Sequence, residues 1–187
     1  MDNPTQVLTT LDRRLDHPVS LVLYGRAALC LGFDSTRREF ATTQDVDGII
    51  PLDQADHLTD DPQFWEAIEL TNKDLESKGL YLTHLFREDQ VILREKWKQN
   101  IVPVSRPETR WLKLFRPATI DLILTKMMRG NDEEDLKDIE FLVGHDRITP
   151  QAFEAACAEA VIPDIPELHE AFAKAKPIVA ELASRSA

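Results

Sequence analysis

The stretch SLVLYGRAALCLGF, residues 20–33, restricts the fold more than any other part of the chain. Ser20 to Tyr24 is a short apolar run with a β leaning, and it stops at Gly25. Ala27 to Phe33 resumes with small, helix-forming residues. The order is strand, glycine turn, helix, which commits this part of the chain to a mixed α/β architecture.

The neighbouring segments extend that reading. Val7, Leu8, Leu11 and Leu15 recur at helical spacing over residues 4–16, and Pro18 ends the helix. Asp34 to Thr43 is polar and reads as a loop or the beginning of a strand. Asp45 to Leu52 is the second strand, with Val46, Ile49 and Ile50 apolar. Residues 60–78 read as one helix, capped by Asp60 or Asp61, with Pro62 in its first turn and Gly79 at its end. Leu80 to Phe86 is a third strand. The region around Trp97 is amphipathic, and Ile101–Val104 and Trp111–Phe115 are short strand candidates.

From Thr119 the pattern becomes helical. ATIDLILTKMMRG ends at Gly130, and NDEEDLKDIEFLVG opens with acidic residues and ends at Gly144. ITPQAFEAACAEA has Thr149 as cap and Pro150 in the first turn. A last helix follows Pro166, with an interruption expected near Pro177. The expected fold class is α+β: a mixed β-sheet flanked by helices, with a C-terminal helical segment. Residues 1–115 form the α/β core and 116–187 the helical segment, packed on it as one compact unit.

The charge balance narrows the partners. The net charge of −11 argues against non-specific binding to DNA or RNA, whose phosphates favour basic surfaces. It leaves room for a single nucleotide or a basic protein partner. No apolar run approaches 18 residues, so no membrane span is expected. The N-terminus lacks the basic and apolar regions of a signal peptide, which makes a cytoplasmic location the expectation. Cys30 and Cys157 lie in apolar helical patterns and read as buried free thiols.

Chemistry concentrates in TTQDVDGII, residues 42–50. Side chains alternate along a strand, so Asp45 and Asp47 point to one side, about 6.5 Å apart along the chain. Like charges that close repel and raise one pKa. Solvation on an exposed face relieves this, and so does a divalent cation shared by both carboxylates. Mg²⁺ commonly takes one or two carboxylates together with substrate phosphates. Upstream, Gly25 is either a plain strand-to-helix turn or a place where backbone N–H groups approach a phosphate at the positive end of a helix.

The order LVLYGRAAL, then TTQDVDGII, resembles the nucleotidyltransferase superfamily, the fold of DNA polymerase β and the minimal nucleotidyltransferases. Its signature is an apolar residue, glycine and glycine or serine, followed by two acids one residue apart on the next strand. KMMRGNDEEDLKDI, with Lys126 and Arg129 followed by Asp135 and Asp138, resembles a second motif found in abortive-infection and toxin–antitoxin nucleotidyltransferases.

The resemblance covers roughly residues 18–143. It implies transfer of a nucleoside monophosphate from a nucleoside triphosphate to a hydroxyl, with Mg²⁺ or Mn²⁺ held by Asp45 and Asp47. It places Gly25 under the triphosphate, Thr43 at the phosphates or shaping the loop, and Lys126 and Arg129 against the nucleotide, oriented by Asp135 and Asp138.

Two departures qualify it. Arg26 stands where the signature has glycine or serine, and either binds phosphate itself or fills the site. The third strand offers His84 in place of a third carboxylate, with Asp121 following shortly after the next strand. A catalytically weak or inactive relative that acts through a protein partner is therefore the alternative.

Overall fold

A computed structural model describes residues 1–33 and 37–186. The chain divides into two compact units: Met1–Arg87 with Ile101–Arg116, and Glu88–Asn100 with Pro117–Ala187. Residues 88–100, expected in the α/β core, fall with the helical unit in this division.

The first unit is a five-stranded mixed sheet with helices. Helix α1 (Asn3–Asp12) is capped by Asp2, whose carboxylate accepts from Thr5 N–H at 2.8 Å. It buries Val7, Leu8 and Leu11. The sequence pattern carried this helix to residue 16. The structure stops it at Asp12, because the Asp12 carboxylate turns to accept backbone N–H groups from Arg110, Trp111 and Leu112 at 2.7–2.9 Å.

Strand β1 (Val19–Tyr24) leads into α2 (Gly25–Gly32), and a single turn, α3 (Arg38–Ala41), precedes β2 (Asp45–Ile50). Part of the expected loop over residues 34–43 lies outside the described residues. The structure ends β2 at Ile50 instead of Leu52. Pro51 closes the strand, and α4 (Leu52–Thr59) follows, a helix the apolar pattern did not reveal. Helix α5 (Pro62–Leu75) is capped by Asp61, which accepts from Phe64 N–H at 3.0 Å. Strand β3 (Tyr81–Arg87) completes this half of the sheet.

Beyond the helical-unit strand β4 (Leu93–Arg94), the first unit resumes with β5 (Val102–Pro103) and β6 (Leu112–Arg116). The sheet order is β3-β2-β1-β6-β5. β1 runs antiparallel to β2 and parallel to β6, and β2 runs parallel to β3. β3 lies at one edge. The Asn72 side chain of α5 engages both polar groups of Leu82 there, donating to its C=O at 2.9 Å and accepting from its N–H at 2.8 Å.

The second unit contains α6 (Thr119–Lys126), α7 (Glu133–Asp146), α8 (Pro150–Glu159) and α9 (Pro166–Ser186). Residues 88–100 join it because β4 pairs with β7 (Ala160–Val161). Two expected boundaries are corrected. α7 continues past Gly144 to Asp146, and Arg147 takes the left-handed stop at φ 50°. α9 runs unbroken through Pro177, which faces solvent while Phe172, Ala175, Val179 and Ala183 form a buried stripe on the other side. Packing of that stripe outweighs the hydrogen bond the proline removes, and the freed carbonyl can reach water. Among the described residues, no helix is long and apolar enough to cross a membrane.

Candidate functional site

Three neighbouring strands set side chains in one row. The β1–β2 register places Tyr24 opposite Asp47, and the β2–β3 register places Asp47 opposite His84. The latter ladder shifts between Val46 and Asp47. Leu82 pairs with Val46 and His84 with Asp47, so Thr83 is an extra residue on β3. As a result two consecutive β3 side chains reach one carboxylate. The Thr83 hydroxyl donates to Asp47 Oδ1 at 3.3 Å, and His84 Nδ1 lies 3.2 Å from the same oxygen.

The other oxygen faces the helix. Gly25 opens α2 with φ +63°, and a Cβ added to it would lie 3.3 Å from Asp47 Oδ2. Glycine satisfies two demands here, the left-handed backbone and the close approach of a carboxylate. Gly25→Ala is therefore expected to cost about 1–2 kcal/mol from the backbone conformation alone, read as a lower urea midpoint. An unchanged midpoint would mean that the turn relaxes without strain.

Asp47 is partly shielded, its side chain 24% exposed, whereas Asp45 at the start of β2 is exposed. Burial pushes the Asp47 carboxyl above the usual carboxylate range, Asp45's charge adds to the rise, and the contacts from His84 and Thr83 oppose it. Thr43 is half-buried just before β2, and its N–H donates to Phe40 C=O at 3.4 Å. Arg26, half-buried, is the second residue of α2. The sequence had marked His84 as the residue the third strand offers where a third carboxylate was expected. Thr83 carried no signal, because the bulge that presents it depends on register with a distant strand.

The second unit gathers its own charged cluster. Lys126 is 7% exposed, and its Nζ donates to Asp135 Oδ1 at 3.0 Å and to Asp138 Oδ2 at 2.7 Å. Arg129 Nε donates to the other oxygen of Asp135 at 2.5 Å, and its side chain remains 59% exposed. The four residues of the second sequence motif thus meet. Lys126 is enclosed by carboxylates, while Arg129 also meets Asp132 through Nη2 at 3.3 Å and keeps part of its side chain exposed.

Asp121, weighed as a carboxylate near the site, is fully buried in this unit. Arg94 holds it through Nε at 3.0 Å, Nη2 at 2.8 Å and its backbone N–H at 3.1 Å.

No protein-family model, curated protein or solved structure matches the chain.

The donor set at Asp45 and Asp47 suits a hard divalent cation. Both residues offer carboxylate oxygens, and burial first, then the charge of Asp45, resists ionisation of Asp47. Among the described residues no group of three or more His, Cys, Asp or Glu side chains gathers as a metal site. Gly25 opens α2 directly beside the Asp47 carboxylate. Both thiols are free, and burial pushes each up to about 11, so neither is a ready nucleophile at neutral pH.

Proposed function

We propose that this chain is a nucleotidyltransferase-like protein. It transfers a nucleoside monophosphate from a nucleoside triphosphate to a hydroxyl acceptor on a protein, nucleic acid or small molecule. The observation that carries this reading is the approach of Asp47 Oδ2 to Gly25 at the opening of α2. It sets the start of helix α2 beside a strand-borne acidic pair within one unit.

Asp45 and Asp47 would hold Mg²⁺ or Mn²⁺, which supplies charge neutralisation at the phosphates and activation of the acceptor oxygen. The chain's own groups do the rest. Gly25 admits the phosphates to the backbone N–H groups of α2, and Arg26 offers a guanidinium near the same turn. Thr43 shapes the loop that delivers Asp45.

Arg26 and Lys126 favour a second reading. Arg26 occupies a signature position for a small residue, and the Lys126 ammonium is already held by Asp135 and Asp138. On this reading the chain is a catalytically weak relative that acts through a protein partner, as in toxin–antitoxin or phage-defence pairs.

Calorimetric titration of ATP, GTP, CTP and UTP in Mg²⁺ separates the two. The transferase reading expects one triphosphate to bind wild type only with Mg²⁺, and expects that binding to vanish in Asp45→Asn/Asp47→Asn. Failure of all four to bind wild type would sink it.

A further inference from the structure

We propose that Thr83 and His84 are positioning residues for Asp47. The bulge in β3 aims both at Oδ1 and leaves Oδ2, beside Gly25, as the oxygen that meets the cation. The proposal rests on the reading that Asp45 and Asp47 bind a divalent ion.

In a regular ladder, successive β3 side chains would point to opposite faces, and only one of the two could reach Asp47. The extra residue at Thr83 breaks that alternation, as bulges beside functional sites do. Two contacts then hold a single oxygen, from the Thr83 hydroxyl at 3.3 Å and His84 Nδ1 at 3.2 Å. Oδ2 is turned toward Gly25, where a Cβ would lie 3.3 Å from it.

The His84 ring is itself held. It stacks on Phe86 with ring centres 5.4 Å apart and planes 3° from parallel, and Tyr24 meets Phe86 edge-on at 6.1 Å. Tyr24, Phe86 and His84 thus support one another across β1 and β3 and fix the direction of the Nδ1 contact, although His84 is 60% exposed. Outer groups of this kind orient a ligating carboxylate before the ion arrives. Their removal typically weakens metal affinity about 10–100-fold.

The test is Mn²⁺ binding to the full chain, followed by electron paramagnetic resonance. It compares wild type, Thr83→Val, His84→Ala, the double variant, His84→Asn and Asp45→Asn/Asp47→Asn. Thr83 and His84 are exposed, so the variants are expected to melt near wild type.

The expected result is about 10–100-fold weaker Mn²⁺ binding in the double variant. Smaller losses are expected in the two singles. His84→Asn should recover most of the His84→Ala loss, because its amide N–H can replace Nδ1–H. Wild-type affinity in the double variant, with loss only in the Asp45→Asn/Asp47→Asn pair, would overturn the positioning role and leave the transferase reading intact. Failure of His84→Asn to recover affinity would place the imidazole on the ion itself and also overturn it. Absence of Mn²⁺ binding in wild type would overturn both.

Discussion

Lys126→Met is expected to lower the unfolding free energy by about 3–5 kcal/mol, the usual cost of removing one partner from a buried ion pair. Methionine nearly fills the volume of the lysine stem, so lost packing contributes little. What remains is two carboxylates, on Asp135 and Asp138, with 8% and 2% of their side chains exposed and no ammonium between them. Arg129 still meets Asp135, but its charge does not replace the direct contact to Asp138.

Two further observations test the cause. Adding Asp138→Leu to Lys126→Met should recover much of the loss, because an apolar replacement of a whole buried pair is often near neutral. The gap between wild type and Lys126→Met should also narrow in acid. Desolvation would raise the Asp135 pKa, but Arg129 and Lys126 outweigh it and hold the carboxyl below its usual value. Its contribution is therefore full above the ordinary carboxylate pKa and fades as pH falls through the lowered one. A loss under about 1 kcal/mol would instead class the cluster with weak surface pairs.

What the sequence revealed follows from the range of the forces involved. Asp61 before Pro62 and Thr149 before Pro150 cap their helices through contacts three residues away, so residue types alone placed those starts. The turn at Gly25 and the strand that carries Asp45 and Asp47 were legible for the same reason, since both are local. The Lys126, Arg129, Asp135 and Asp138 cluster spans one helix–turn–helix and was legible as a motif, though its enclosure of the lysine was not.

Long-range register escaped. Thr83 meets Asp47 across 36 residues, and nothing in LYLTHLF announces a bulge. The two-residue pairing of β4 with β7 is too short to pattern, yet with the Arg94–Asp121 bond it draws residues 88–100 into the helical unit. The helix α9 crosses Pro177 for a related reason. A local rule predicts a break, and a buried stripe along 21 residues overrides it.

Asp47→Asn is expected to do the opposite of Lys126→Met: it should stabilise the ligand-free chain at neutral pH while removing the response to Mg²⁺ and nucleotide that the proposed function requires. The sign follows from Asp47's raised pKa, caused first by burial and then by Asp45. A carboxyl whose folded pKa lies above its unfolded value favours the protonated fold. Its contribution is fully present below the unfolded pKa and is lost as pH rises through the folded one. At pH 7 wild type therefore bears the cost of a resisted charge, and asparagine, which can still accept from Thr83 and His84, does not.

Melting curves from about pH 7 to about pH 3 should show the variant above wild type at the neutral end and the two converging in acid. Added Mg²⁺ and the preferred triphosphate at about 100 times Kd should stabilise wild type by about 2.7 kcal/mol and leave the variant unmoved. A neutral-pH loss of stability in Asp47→Asn would mean that the Thr83 and His84 contacts need the charge, making Asp47 a structural anchor. A gain paired with loss of the ligand response would mark a group kept for binding against its cost to the fold.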